Sequence, residues 1–315
     1  MIPYHTRKAP SPAKKSSALL NPHREVVSMV ASPAADRVNP TTANLARIDE
    51  WLDLLANEVD VAAHSEELTL YLQTLARFWT YSARNCWLIT IQMPEARRVA
   101  SRKTWESLGR TIKRDQWRRG LEILCPHFRK VKDEQTGEER EALTHFSTGW
   151  VFDISQTEGR PLAQPVWQQT TGDYNPLYGA LIERIRRSGL TVEERDDLPD
   201  GVHGYSTGRG TIAVSTSDSL GNRCQTLLHE LCHERCHDIR ARQTFNRAML
   251  ECQAESVSYC CCQAFEIPTP NTPTYLALYN IDRSMLIANL EAIRAGVAHL
   301  MRELGCLLES VVPAA

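Results

Sequence analysis

Apolar residues recur at helical spacing over much of the chain. Leu45, Ile48, Leu52 and Leu55 mark one helix and Leu68, Leu72, Leu75 and Phe78 the next, with Thr41 or Thr42 and Ser65 as N-caps. A third apolar run, Trp87 to Ile91, stops before Pro94. The rhythm then changes. Leu121 to Cys125 and Trp150 to Ile154 are short strand-like runs, and the acidic and polar stretch Asp133 to Thr148 between them predicts a hairpin loop. Residues 159–174, rich in Gly, Pro, Gln and Thr, predict a linker. Beyond it the pattern predicts a helix over Leu177–Arg187, a strand over Thr191–Glu194, and a second strand at Gly210–Ser215 leading into a helix capped by Asp218 or Ser219. Pro268, Pro270 and Pro273 punctuate a loop before helical spacing resumes at Tyr275–Tyr279 and Ile281–Leu307. No internal repeat is present.

This order predicts an α+β chain of two domains. Residues 1–38, rich in Pro, Ser, Ala and Lys, read as a disordered arm; 39–160 form an α+β first domain, 161–174 the linker, and 175–315 a mainly helical second domain with a small sheet. No apolar run is long enough to span a bilayer, and the first thirty residues lack the apolar core of a secretory signal, so a cytoplasmic protein without membrane contact is expected. Reduced thiols fit that setting. The ten cysteines include three in succession, Cys260 to Cys262, inside a helical pattern, where they serve as small buried hydrophobes rather than bridges.

The chemistry concentrates in His229-Glu230-Leu231-Cys232-His233. At 3.6 residues per turn the two histidines share one helix face, and Glu230 stands beside them to act as general base in zinc-dependent hydrolysis. A catalytic zinc takes three protein ligands, so a third is required. Glu251 and Glu255, one turn apart on the next helical run, are the candidates: Glu251 on the metal and Glu255 holding a histidine N–H, or the reverse. One zinc ion per chain follows. His237 continues the histidine face, but a straight helix carries successive turns away from a single point, so it is expected to pack behind the ligands. Tyr259, His203 and Tyr205 are candidate oxyanion donors.

Charge distinguishes the first domain. The net charge of the chain is −2, yet residues 97–132 hold twelve Lys or Arg against three acids. Arg98, Arg102, Lys103, Arg110, Lys113, Arg114 and Arg118 are interleaved with Trp105 and Trp117. Cations that follow phosphates and rings that stack on bases suit single-stranded nucleic acid; the alternative is a solvated face over two core tryptophans. Trp105 follows a helix start at Ser101 or Thr104 and reads as core, whereas Trp117, among cations, is the stacking candidate.

Two sets of segments carry a resemblance. Tyr81–Ile89, Arg98–Ala100, Thr104–Trp105, Leu108–Arg110 and Val151–Gly159 resemble the single-stranded-DNA-binding domain of ArdC-type antirestriction proteins. Gly204–Tyr205, Ile212–Val214, Thr226–His233 and Glu251–Tyr259 resemble the zincin-like (gluzincin) metallopeptidase domain of that family and its ImmA/IrrE-type relatives. The resemblance spans roughly residues 40–305. It implies a plasmid-associated protein that binds single-stranded DNA during transfer and protects it from restriction, with His229, His233 and Glu251 (or Glu255) on zinc, Glu230 as base, and an unidentified protein substrate. Alternatives are a DNA-protective protein with a structural metal site and an ImmA-like regulator that cleaves a repressor. The chain departs from the family at Thr111–Gly120, where Trp117 replaces a small residue in a Gly- and Lys-rich turn.

Overall fold

The structure is a computed structural model that describes residues 2–3, 39–58, 61–132, 139–162, 174–267, 278, 281–304 and 307. The expected arm, apart from 2–3, most of the linker and the proline loop lie outside these residues. The fold mixes helices with small sheets, as expected for an α+β chain. Described residues 39–54 and 81–160 form one compact unit; 2–3, 55–80 and those from 161 onward form the other. Residues 55–80, grouped by sequence with the basic half, thus join the metal-bearing unit.

Helix α1 (Pro40–Asn57) begins two or three residues earlier than caps at Thr41 or Thr42 predict. Asn39 accepts from Thr41 N at 2.9 Å, and Pro40 supplies a φ already suited to the first helical position. The helix α2 (Val61–Arg77) likewise starts ahead of Ser65. After α3 (Ala83–Gln92) the chain turns to short strands and then to its principal ribbon.

 The first of these is β2 (Val99–Ala100); the strand β1 (Ile2–Pro3) belongs to the other unit. Helix α4 (Arg102–Ser107), capped by Ser101, leads to β3 (Arg110–Ile112), and two long strands follow, β4 (Leu121–Lys132) and β5 (Glu139–Asp153).

The predicted loop 133–148 is therefore mostly strand. Its alternation is faint because both faces are polar: His127 stacks on His145 across the ribbon, with ring centroids 4.5 Å apart, and the register shifts between His127 and Phe128. Backbone pairing rather than an apolar stripe holds this part of the ribbon. At its other end, β2 pairs with β5, and β6 (Thr157–Gly159) pairs with β3.

The inner end of β4 is closed by side-chain amides. Asn85 donates to Leu124 O at 2.9 Å and accepts from Leu124 N at 2.8 Å; Gln92 does the same for Glu122, at 2.9 and 2.8 Å. Seven residues apart on α3, the two amides lie two turns apart on one face and meet alternate strand residues. They occupy backbone groups that β5 leaves free, which removes an exposed edge. Trp105 is fully buried and donates to Phe152 O at 2.8 Å. Trp51 stacks on Trp87 with centroids 3.7 Å apart.

The metal-bearing unit continues with α5 (Asn175–Arg187), which buries Leu177, Tyr178, Leu181, Ile182 and Ile185 at helical spacing. Burial of each large apolar side chain contributes about 1.5–3 kcal/mol. The strands β7 (Thr191–Arg195), β8 (Gly204–Ser206) and β9 (Thr211–Ser215) form a sheet in the order β1-β8-β9-β7; β7 and β9 are parallel and the other pairs antiparallel.

A tight turn leads into α6 (Leu220–Cys236), capped by Ser219, while Asp218 instead lies 2.8 Å from His203 Nδ1. Then come α7 (Ile239–Thr244), α8 (Arg247–Ala264) and α9 (Arg283–Leu304). Helices α8 and α9 approach closely at Gly296, where a Cβ would stand 2.8 Å from Val257 Cγ2. Glu303 ties α9 to its neighbours: its backbone carbonyl accepts from Arg184, and its carboxylate pairs with Arg235.

Candidate metal centre and basic surface

Helix α6 places His229 and His233 one turn apart, and α8 brings Glu251 to them. The Nε2 atoms of the two histidines are 3.1 Å apart, and each lies 3.5 Å from Glu251 Oε2. Among the described residues, these three form a group whose donor atoms converge closely enough to hold one metal ion. Bonds of about 2.0–2.1 Å from zinc to nitrogen or oxygen set tetrahedral edges of about 3.3–3.4 Å, so the spacing fits. The donor chemistry fits as well. Burial, chiefly, lowers the His229 pKa to about 4, which keeps the ring neutral as ligation requires. Burial raises the Glu251 carboxyl, but the hydrogen bonds and charges of His229 and His233 outweigh it and hold the group below the usual carboxylate range.

His237 terminates α6 as its C-cap and is buried. Its Nδ1 is 2.8 Å from Nδ1 of His233. If His233 gives Nε2 to a metal, its proton resides on Nδ1 and is donated to His237, which orients the ring. That position is the one the sequence reading offered to Glu255. Glu255 lies outside the converging group. Burial, with His233 and His229 beside it, lowers the His237 pKa to about 3, so it remains an acceptor.

Glu230 is 1 % exposed, and neither carboxylate oxygen has a hydrogen-bond partner among the described residues. Burial first, then the charges of Glu251 and Glu234, push its carboxyl well above the ordinary range. A buried acid without partners is costly unless a cation or water meets it, and a divalent ion on the adjoining histidines answers that requirement.

The remaining candidates fall elsewhere. Tyr259 is buried and receives a bond from Gln73 at 3.4 Å; two turns beyond Glu251 on α8, it stands about 12 Å along the helix axis from it. Gly204 faces Thr226 of α6, so strand alternation turns Tyr205 to the other side of the sheet. His203 is engaged with Asp218. Sequence reasoning missed Gln253 and Asn289, a buried pair bonded at 2.8 Å across α8 and α9, and Glu234, which accepts from Gly208 N at 2.6 Å and Gly210 N at 2.9 Å. None has a motif signal, because each is defined by a partner far along the chain.

None of the nine cysteines among the described residues forms a disulfide. Mutual hydrogen bonding raises the Cys232 thiol and lowers that of Cys236.

The basic residues divide by their partners. Arg110 bonds Thr157 Oγ1 at 2.8 Å and Arg160 O at 2.6 Å, and Lys113 bonds Ser155 O at 2.8 Å, so both brace the β3–β6 pair and its approach. Arg98 is half-buried, with its backbone N–H on Asp153 at 2.9 Å. Arg102, Lys103, Arg114 and Arg118 are exposed. The Arg102 guanidinium lies 4.5 Å from the Trp117 ring centroid, and Trp117 is 54 % exposed while donating to Ile112 O at 3.0 Å. Phe128 and Trp150, each 57 % exposed, are further open rings in the same unit. Trp150 opens the run Trp150 to Ile154 that predicts a strand.

A sheet leading into a helix with H-E-x-x-H, with a glutamate from a following helix beside the two histidines, is the arrangement that zincin-like domains of the gluzincin pattern use. Residues 185–301 match the family model described as the IrrE N-terminal-like domain, Peptidase_M78. Two solved structures of the antirestriction ArdC protein from R388 plasmid are similar at 18 % identity. The metal-free structure covers 72 % of this chain and 83 % of its own, with a TM-score of 0.45. The Mn(II)-bound structure covers 76 % and 97 %, with a TM-score of 0.41. No curated protein matches the chain. Among the described residues, no helix is long and apolar enough to cross a membrane.

Proposed function

We propose that this chain is a cytoplasmic antirestriction-type protein that binds single-stranded DNA through residues 39–160 and carries, over 175–315, a zinc-dependent peptidase with Glu230 as general base. The observation that carries the enzymatic part is the convergence of His229, His233 and Glu251 beside the partnerless Glu230. A divalent ion held by the three ligands would supply a Lewis acid for a scissile carbonyl and lower the pKa of water. Glu230 then accepts a proton from the attacking water and returns it to the leaving amine, while His237 keeps His233 in the required tautomer.

The DNA-binding part rests on the exposed cations Arg102, Lys103, Arg114 and Arg118, the Arg102–Trp117 stack, and the segment resemblance set out above. Arg98, Arg110 and Lys113 contribute charge while bracing the backbone. Single strands bound this way leave their bases free to stack on Trp117.

The test is a paired measurement on purified protein: bound zinc and fluorescent single-strand anisotropy for wild type, His229→Ala and Trp117→Ala. His229→Ala is expected to lose zinc and keep DNA binding; Trp117→Ala is expected to keep zinc and lose about 1–3 kcal/mol of DNA affinity. Unaltered zinc in the first variant, or unaltered DNA affinity in the second, removes the corresponding half of the proposal.

A further inference from the structure

Metal ligation at His233 Nε2 puts the proton of that ring on Nδ1, and His237 Nδ1, 2.8 Å away, accepts it. A neutral imidazole carries one proton, so that of His237 then sits on Nε2. His237 is 4 % exposed, and its Nε2 has no hydrogen-bond partner among the described residues. A buried donor of this kind calls for an acceptor. The same residue lines a cavity of about 270 Å³ bounded by α6, α8 and α9. Phe245, Val257, Ala292 and Gly296 give it an apolar wall, Arg235 and His299 are its other basic members, and none of its lining residues is acidic. At about 30 Å³ per water in the liquid, the space suits roughly nine waters or one small organic molecule.

We infer that this cavity binds a small aliphatic carboxylate, whose oxygen accepts from His237 Nε2–H and whose chain lies against the apolar wall, and that this ligand and the metal strengthen each other's binding. An ionised acceptor makes a stronger hydrogen bond than a neutral one, and a lining with basic members and no acid does not repel it. The coupling is one of tautomers. The metal requires a proton on His233 Nδ1, the carboxylate requires one on His237 Nε2, and a single proton shared across the 2.8 Å contact satisfies both only when His233 is the donor. The inference rests on the reading of His229, His233 and Glu251 as metal ligands for this coupling, whereas occupancy of the cavity is measurable without metal.

The experiment uses the full chain, with butyrate as probe and butyramide as its neutral counterpart. Ala292→Leu and Ala295→Leu, both on the α9 wall, fill the cavity without altering a residue assigned to the metal. Butyrate is titrated by saturation-transfer NMR into zinc-loaded and chelator-treated protein, and zinc affinity is measured with and without butyrate against a chromophoric chelator. A metal-free chain that holds the His237 proton on Nε2 one time in ten binds the probe about tenfold more weakly, so butyrate is expected to bind the zinc-loaded form about tenfold more tightly. By reciprocity, saturating butyrate is expected to tighten zinc by about the same factor. The filling variants are expected to lose butyrate and to keep the zinc affinity of butyrate-free wild type. No saturable butyrate binding, equal affinity in the two metal states, or equal binding of butyramide overturns the inference. So does butyrate binding that survives both filling variants, which would be ligation of the zinc itself. If the chain takes up no zinc, the metal reading falls by itself, and the cavity is then judged on whether the filling variants abolish metal-free butyrate binding.

Discussion

Replacing Glu230 by Gln tests whether the buried carboxylate is the uncompensated group the structure describes. The side chain is 1 % exposed and both oxygens lack partners among the described residues, while Gln keeps nearly the same shape without the charge. Gln leaves a buried polar amide in the same place but removes the charge, and a buried charged group costs more than a neutral one, so at neutral pH metal-free Glu230→Gln should be more stable than wild type by about 1–3 kcal/mol. For a unit of this size each kcal/mol corresponds to about 2–4 °C in melting temperature.

The effect should depend on pH in a defined sense. Burial, chiefly, raises the folded-state pKa of Glu230 above its unfolded value. Between those values the folded protein binds more protons than the unfolded one, so wild type loses stability as pH rises through the unfolded glutamate range, and Gln abolishes this loss. The advantage of the variant is therefore absent at pH values below both pKa values and grows as pH rises towards neutrality. Comparing the two chains in chelator by thermal circular dichroism from pH 5 to 8 cancels groups common to both, including His229 and His237. Saturating zinc should narrow the gap, because the cation stabilises the ionised carboxylate, and should leave peptide hydrolysis only in wild type. A metal-free variant no more stable than wild type across this range would refute the reasoning.

Three further outcomes follow from particular contacts. Removing the His237 ring that meets His233 at 2.8 Å, as His237→Ala, is expected to weaken zinc binding about tenfold to a hundredfold in competition with a chromophoric chelator, without altering single-strand affinity. Asn85→Leu and Gln92→Leu each strip a two-bond clamp from β4 and should each cost about 1–3 kcal/mol in urea unfolding; a loss under about 0.5 kcal/mol would mean that water replaces the amides. Gly296→Ala forces a Cβ to within 2.8 Å of Val257 Cγ2 and should cost about 1–3 kcal/mol, with much of that recovered when Val257→Ala is added; additive losses in the double variant would place the clash elsewhere.

Local periodicity made the metal helix legible. Residues four apart on any α-helix share a face, so His229 and His233 meet wherever that helix is placed, and Ser219 caps its start through a bond within one turn. The apolar spacing of α5 is local in the same way. The ribbon β4–β5 was not legible beyond its apolar ends, since polar residues on both faces leave no alternation to count, and only the pairing of Lys132 with Glu139 shows that the strands persist. Nor could composition separate the cations that brace carbonyls, Arg110 and Lys113, from exposed Arg102 and Arg118.

By itself, then, the sequence determined what lies within one or two turns: the paired imidazoles, the adjoining acid and the candidate carboxylates further along. Tertiary structure decided the rest. It chose Glu251 over Glu255 for the converging group, set His237 rather than Glu255 behind His233, removed Glu230 from water, and laid β8 with Ile2–Pro3 beside it. The physical reason is distance along the chain: helical periodicity positions neighbours directly, whereas convergence of α6, α8 and β8 depends on how separate elements pack around one core.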